Sequence, residues 1–311
     1  MRFDFLAFRL KLMAEELISL KAIPTILEAF LAAFGSLWLL VEIITYFSET
    51  SRIPELLSGS WYLFLLAGLL IVVVQHIPTL SYGCKLNNRD TYIELVIGDL
   101  FKYEGDLIIG SNTTFDTRIS HDLISEKSIQ GQFTKKYYGD GSKLDKEIIT
   151  ELQEITPEIL SEKRIGNNKK YPIGTVVKLN PEVGRTAYMV AIAHINEYGT
   201  ARGTIEELMQ ALPCLWTFIS RRGLKGKIVM PIIGSGFARL SVPREKIVHE
   251  ILKSFVAACS ESTFCDRLTI VINPYDIDNN EINMDELEKY LYHTCKYAQF
   301  ASNSQQTGVP V

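Results

Sequence analysis

A glycine-rich loop, Gly234-Ser235-Gly236-Phe237, follows the strand-like residues 227–233 and precedes a predicted helix. Glycines let a backbone approach an anion closely, and free N–H groups at a turn or a helix start donate to phosphate oxygens. The loop therefore has the residue types of a phosphate cradle. A Gly-x-Gly sequence before a helix is also common in simple tight turns, so the loop alone leaves both interpretations open.

Other candidate ligand groups lie upstream of this loop and just after it. They are Gly98, Asp99 and Leu100, then Ser111, Asn112 and Thr113, and finally Arg239. Asp99 could accept hydrogen bonds from a ligand or cap the turn that follows it. Asn112 could likewise contact a ligand or cap its own loop, and Arg239 could pair with phosphate or remain solvated.

The histidines do not form a catalytic pattern. His194 ends an apolar strand-like run and is interpreted as a strand-end histidine with a local partner, while His121 and His249 are interpreted as surface groups. The sequence has no serine elbow, no HExxH motif and no paired Cys and His nucleophile. We therefore predict no catalytic residue and no metal site.

Composition limits the class of protein. The 311 residues allow one or two domains, and the net charge of −4 with no basic block argues against a nucleic-acid binder. Five cysteines are scattered, with none in a CxxC motif or paired with His at zinc spacing. We expect them to be reduced thiols of a cytosolic domain rather than disulfide or metal groups.

Two apolar segments near the N-terminus are long enough to cross a bilayer. The sequence predicts spans at residues 24–47, with only Glu28 and Glu42 charged, and at residues 60–80. A buried helix pair of a soluble domain is the alternative. A cleaved signal peptide fits poorly, because the first run begins far from the N-terminus and a second span follows.

Flanking charge predicts the orientation of this helical hairpin, residues 23–82. Basic residues precede it at Arg2, Arg9, Lys11 and Lys21 and follow it at Lys85, Arg89 and Lys102. The connecting residues 48–60 contain a single basic residue, Arg52. The positive-inside rule then places both termini and the domain at residues 83–298 in the cytoplasm.

Polar features of the membrane region leave alternatives open. Residues 1–22 have an amphipathic pattern, which suits a helix on the membrane surface or one that packs on a neighbouring subunit. Glu42 is interpreted as lying near the outer interface, with a pore-lining or assembly role as the alternative. Residues 299–311 are polar and predicted to be disordered.

Strand-like and helix-like segments alternate from residue 91 onward. The predicted strands are 92–97, 106–109, 175–179, 187–193, 227–233 and 267–273. Residues 187–193 are continuously apolar, as in a strand buried on both faces. The alternation predicts a three-layer α/β/α domain with a mixed sheet, whose ligand site lies at the carboxyl ends of its strands.

Helix signals separate these strands. Residues 143–160 and 284–297 have apolar residues at helical spacing. Thr204 and Glu207 form a predicted capping box, which opens a helix that Pro213 should kink or break before Arg222. Ser241 is the predicted cap of the helix after the glycine-rich loop.

The motifs together resemble a macro domain over residues 91–275. The order Gly98-Asp99, then 105–112, then Gly234-Ser235-Gly236 matches that family. The resemblance implies an ADP-ribose-derived ligand, with Asp99 accepting from the adenine amino group and the glycine-rich loop wrapping the diphosphate. It also implies that the loop containing Ser111, Asn112 and Thr113 lies on the distal ribose side.

Two N-terminal spans followed by a divergent macro domain are similar to the membrane effector of the macro-type Thoeris antiphage systems. The resemblance implies a partner TIR-domain enzyme that consumes NAD and makes an ADP-ribose-type messenger, such as a histidine–ADP-ribose conjugate. It further implies that the effector sits in the bacterial inner membrane, assembles into a homo-oligomer and disrupts the bilayer to cause abortive infection. No cofactor is expected besides this ligand.

One departure from the family concerns catalysis. Hydrolytic macro domains carry a doubled asparagine after the second strand, whereas this chain has Gly110-Ser111-Asn112-Thr113. The departure favours a receptor over the alternative, a membrane-tethered enzyme that hydrolyses or processes ADP-ribose derivatives. A third interpretation is a structural or channel-accessory protein whose α/β domain only scaffolds assembly.

Overall fold

The computed structural model describes residues 5–18, 23–47, 61–75, 77, 79–119, 123–139, 141–161, 166–196, 198, 200–236, 240–279 and 281–298. The chain divides into two compact units, Met1–Thr79 and Leu80–Val311. The C-terminal unit begins at Leu80 rather than at residue 83, because Ser81 already belongs to the first strand of the sheet. The predicted tail at 299–311 lies outside the described residues, so its disorder stays a prediction.

Helix α2 of the N-terminal unit has the length and composition of a membrane span. It covers Ile23–Phe47 and follows α1 (Phe5–Ile18), which lies in the predicted amphipathic segment. No part of its apolar window Ile26–Phe47 is buried. The window therefore fits the predicted span, and membrane anchoring stays a proposal. Glu42 is exposed in the penultimate turn of α2, and its role stays a prediction.

Helix α3 (Trp61–Gln75) is shorter than the predicted second span. Its 15 residues extend about 22 Å, less than the hydrocarbon thickness of about 30 Å. The predicted end at residue 80 is wrong, because the carbonyl of Leu80 accepts a hydrogen bond from the N–H of Ile97 in the sheet. In the part of the chain that the structure describes, α2 alone is long enough to span, and a second span stays a prediction.

The sheet of the C-terminal unit has eight described strands in the order β1-β2-β10-β9-β3-β7-β6, with β8 paired to β7. They are β1 (Ser81–Lys85), β2 (Tyr92–Ile97), β3 (Asp106–Asn112), β6 (Val176–Glu182), β7 (Arg185–Ile195), β8 (Ala201–Arg202), β9 (Lys227–Pro231) and β10 (Arg267–Ile272). β2, β10, β9, β3 and β7 run parallel, while β1 and β6 join antiparallel. A separate two-stranded sheet pairs β4 (Glu158–Ile159) with β5 (Lys169–Lys170).

Helices cover both faces of this sheet. They are α4 (Ile129–Tyr137), α5 (Ser142–Glu151), α6 (Ile205–Arg222), α7 (Arg244–Glu261), α8 (Pro274–Asp278) and α9 (Met284–Tyr297). Trp216 of α6 and Phe255 of α7 lie in one core, and Phe133 of α4 lies in the other. Successive residues of β3 serve opposite cores, Ile108 the first and Ile109 the second, as the pleat requires. The predicted three-layer fold with a mixed sheet is confirmed.

Helix ends follow local chemistry in some places and tertiary packing in others. The capping box is confirmed, since the N–H of Glu207 donates to Thr204 and the Glu207 carboxylate accepts from the N–H of Thr204. The prediction that Pro213 might break the helix is wrong, because α6 continues to Arg222. Pro213 is exposed while the opposite face is buried on both sides of it, so packing holds both halves. Ser241 does not cap α7, which begins at Arg244 after Pro243.

The predicted helix at residues 143–160 is also wrong in its second half. α5 ends at Glu151, and Ile155 closes a turn by donating to the carbonyl of Leu152. Pro157 disfavours helical geometry in the residue before it, and β4 follows at once. Two elements were not predicted, α4 and β1, because neither carries a strong periodic pattern.

Cys84 in β1 is bonded to Cys295 in α9, 211 residues later in the chain. The expectation that all cysteines are reduced is therefore wrong for this pair. The sheet and α9 bring the two residues together, with their Cα atoms 6.5 Å apart. Cys214 is an exposed free thiol, whereas burial raises the pKa of the Cys259 thiol to about 12 and raises that of Cys265 as well.

Candidate functional site

The predicted site segments meet at one edge of the sheet. The parallel strands β2, β9 and β3 have their carboxyl ends there, followed by Asp99, the glycine-rich loop and Thr113 respectively. β2 and β3 stand three strand spacings apart in the sheet order, which corresponds to about 14 Å. The edge therefore suits an extended ligand with a recognition group at each end and an anion between them.

Asp99 caps the turn that follows it and still presents an exposed carboxylate. Its Oδ1 accepts from the N–H of Phe101 at 3.0 Å, and its other oxygen makes no hydrogen bond to the described residues. Gly98 donates to the carbonyl of Ile272 at 2.9 Å, which ties this turn to β10. A Cβ at Gly98 would lie 2.5 Å from the hydroxyl of Tyr103, so a larger residue there would displace the Tyr103 side chain. The side chain of Leu100 is buried in the core and does not face the site.

The glycine-rich loop has the backbone of a tight turn with an open face. Gly234 has a φ of +85°, and a Cβ there would lie 2.1 Å from Cδ1 of Leu240. The hydroxyl of Ser235 donates to the carbonyl of Ile232 at 2.7 Å. A Cβ at Gly236 would meet no atom of the described residues within 4 Å.

Two backbone N–H groups of this loop, at Gly234 and Gly236, have no hydrogen-bond partner among the described residues. Free N–H groups beside open space are the donors that a phosphate cradle needs. Phe237 and Arg239 lie outside the described residues, so their contact with a ligand stays a prediction.

The side-chain oxygen of Asn112 is hydrogen-bonded within its own loop. Its Oδ1 accepts from the N–H of Thr114 at 3.0 Å, from the hydroxyl of Thr114 at 3.0 Å and from the N–H of Asp116 at 3.3 Å. The side chain is also buried. Asn112 thus caps its own loop through this oxygen, and its contact with a ligand stays a prediction.

Ser111 and Thr113 bracket Asn112 and carry buried hydroxyls without a hydrogen-bond partner among the described residues. The backbone of Thr113 is fully used, since it donates to Ala193 and accepts from Tyr171. A buried hydroxyl without a partner costs about 1–3 kcal/mol. Both hydroxyls are as buried as the Asn112 side chain, so their contact with a ligand stays a prediction.

A buried network that the sequence analysis missed holds the loop after β3. The Asp116 carboxylate accepts from the hydroxyl of Thr114 at 2.5 Å and from the N–H of Asn167 at 2.6 Å. Gln130 donates to the Asp116 carbonyl at 2.6 Å. Phe115, which lies between Thr114 and Asp116 in the sequence, is fully buried. Its φ of +48° is a strained conformation for a bulky residue. No short sequence motif predicts this network, because Asn167 comes from a distant segment of the chain.

Two described histidines, His194 and His249, have local partners. Nε2 of His194 lies 2.9 Å from the Glu207 carboxylate, which confirms a strand-end histidine with a local partner. His249 is not a surface group, since it is partly buried and stacks on Tyr290 at 3.7 Å between ring centres. Burial lowers the pKa of His249. His121 lies outside the described residues, and the described residues contain no cluster suited to hold a metal.

Comparison with known proteins identifies the domain. The profile of the family "Thoeris protein ThsA, Macro domain" matches residues 93–273. The Thoeris protein ThsA of Bacillus amyloliquefaciens (strain Y2) is 25% identical over 239 residues, which is 73% of this chain and 78% of that protein.

Solved macrodomains are also similar to this chain. The Oceanobacillus iheyensis macrodomain with MES bound is 16% identical and covers 68% of this chain and 98% of its own, with a TM-score of 0.47. The Trypanosoma brucei macrodomain in complex with ADP-ribose is 12% identical and covers 63% and 68%, with a TM-score of 0.42. The matching profile spans more than half of the 311 residues, and the chain therefore belongs to the Thoeris ThsA macro-domain family.

Proposed function

We propose that this protein is a membrane-anchored receptor whose macro domain binds an ADP-ribose-derived messenger. The observation that carries the proposal is the placement of an exposed carboxylate and a glycine-rich loop at one sheet edge, where the loop N–H groups of Gly234 and Gly236 have no partner among the described residues. In the proposed complex, Asp99 accepts from the adenine amino group and the loop at Gly234 and Gly236 binds the diphosphate. Ser111 and Thr113 contact the distal end of the ligand.

Several features favour a receptor over a hydrolase. The Oδ1 of Asn112 already accepts three hydrogen bonds, and His194 is paired with Glu207. The alternative enzyme is tested by incubating the purified full-length protein in detergent with ADP-ribosylated substrates. Binding without release of product supports the receptor, whereas turnover that Asn112→Ala abolishes would establish the enzyme. If no ADP-ribose derivative binds, the scaffold interpretation is favoured.

The membrane part of the proposal starts from α2. Its apolar and exposed side chains suit a lipid environment, with the C-terminal unit in the cytoplasm. A TIR-domain enzyme supplies the messenger, such as a histidine–ADP-ribose conjugate. Binding then favours assembly of the chains into a homo-oligomer that disrupts the membrane and causes abortive infection. The ligand can shift this equilibrium only by its differential affinity for the two states.

Asp99→Asn is the sharpest test of the adenine contact. Asparagine keeps an oxygen that can cap the turn, so we expect an unchanged melting temperature. It replaces a charged acceptor by a neutral amide, and a hydrogen bond to a charged group contributes about 1.5–3 kcal/mol. We therefore expect affinity for ADP-ribose, measured by calorimetric titration of the full chain in detergent, to fall by about 10- to 100-fold.

The matched control is Asp90→Asn. Asp90 is an exposed acid in the turn that leads into β2, at the opposite edge of the sheet. The Asp90→Asn variant should bind ADP-ribose with the affinity of the wild type. Equal affinity of Asp99→Asn and the wild type would exclude Asp99 as the adenine acceptor.

A further inference from the structure

Arg244, in the first turn of α7, reaches the glycine-rich loop. Its Nη1 donates to the carbonyl of Ser235 at 2.8 Å, and its Nε donates to the Glu281 carboxylate at 2.7 Å. Its Nη2 lies 2.5 Å from Glu281 and 3.5 Å from Asp276. The guanidinium thus joins the loop after β9 to the segment after β10.

The contact with Ser235 fixes the direction of one peptide group. The carbonyl of Ser235 and the N–H of Gly236 belong to the same peptide unit, and in a trans peptide they point in opposite directions. The described residues contain no cis peptide bond. Because Arg244 holds the carbonyl, the N–H of Gly236 must point away from Arg244.

Two acidic residues near Arg244 hold its guanidinium beside the Ser235 carbonyl. Asp276 and Glu281 balance its charge and occupy donors that a free arginine would offer to phosphate. Burial raises the pKa of Asp276, and the Arg244 guanidinium opposes that shift. Both sides of the contact are largely shielded, with the side chain of Arg244 22% exposed and that of Asp276 14% exposed.

We propose that Arg244 is a positioning residue that presets the N–H of Gly236 for the diphosphate of the ligand. The proposal rests on the proposed function and deepens it. The carbonyl of Ser235 would repel a phosphate if the peptide turned over, and Arg244 prevents that flip. Arg244 therefore acts through the loop backbone rather than by touching the ligand.

The test compares Arg244→Ala with Arg244→Lys in the full chain in detergent. Lysine can donate one hydrogen bond to the Ser235 carbonyl, whereas alanine donates none. We expect Arg244→Ala to weaken ADP-ribose binding tenfold or more and Arg244→Lys to recover at least half of that loss on a logarithmic scale. The amide of Gly236 should exchange hydrogen faster, or shift its NMR resonance, in Arg244→Ala before ligand is added.

Arg267→Ala is the matched control, since Arg267 pairs with Glu94 near the start of β10, at the opposite edge. It should bind like the wild type. Arg244→Ala binding within twofold of the wild type, or lysine and alanine variants that bind equally weakly, would overturn the inference. If the wild type itself fails to bind ADP-ribose derivatives, the proposed function fails instead.

Discussion

Gly236→Val is expected to weaken ADP-ribose binding at least 100-fold while the domain stays folded. A Cβ at this position meets no atom of the described residues within 4 Å, and the residue does not have a positive φ. No atom of the described residues therefore stands in the way of a Cβ at position 236 in the unliganded protein. It occupies the space through which a phosphate must approach the backbone, and about 2.7 kcal/mol of lost binding corresponds to 100-fold.

The measurement is a calorimetric titration of the full chain in detergent, together with its thermal melting curve. Gly226→Val is the matched control, because Gly226 also has open space around its Cβ but precedes β9 at the opposite edge. It should bind normally. Gly234→Val should instead lose stability, because its φ is +85° and Leu240 fills the space.

In cells that also make the messenger, Gly236→Val should abolish ligand-triggered toxicity while membrane insertion continues. Affinity of Gly236→Val within tenfold of the wild type would exclude the loop as the phosphate site. Loss of binding in Gly226→Val to the same extent would show that the effect is not specific to that loop.

Cys84→Ser is expected to destabilise the C-terminal unit by up to about 5 kcal/mol, because the lost disulfide closes a 211-residue loop in the unfolded chain. For a domain of this size that corresponds to a fall in melting temperature of about 10–20 °C. Cys214→Ser is the matched control, since Cys214 is exposed and unbonded. It should melt like the wild type.

Thiol titration of the purified protein tests the same bond directly. We expect one fast-reacting thiol, Cys214, in the folded protein. Unfolding should expose Cys259 and Cys265 as well, because burial and a raised pKa hold them unreactive in the native state. Reduction after unfolding should then release the thiols of Cys84 and Cys295. Five reactive thiols without reduction would contradict the Cys84–Cys295 bond.

Elements with strong local patterns were predictable from the sequence. The helix at Met284–Tyr297 and the capping box at Thr204 follow from residues close together in the chain. β7 is buried through its centre, as its continuous apolar run predicts. Predictions failed where distant contacts decide, as for the helix that continues past Pro213 and for the disulfide between Cys84 and Cys295.

The sequence by itself determined the family resemblance and the chemical types available at the site, an acid at Asp99 and glycines at 234 and 236. The tertiary structure decided where those groups lie and which of them have partners among the described residues. It brings the segments to one sheet edge, engages Asn112 within its own loop and directs the Ser235 carbonyl to Arg244. The physical reason is that each polar atom has few hydrogen bonds to make, and the competing partners come from segments far apart in the chain.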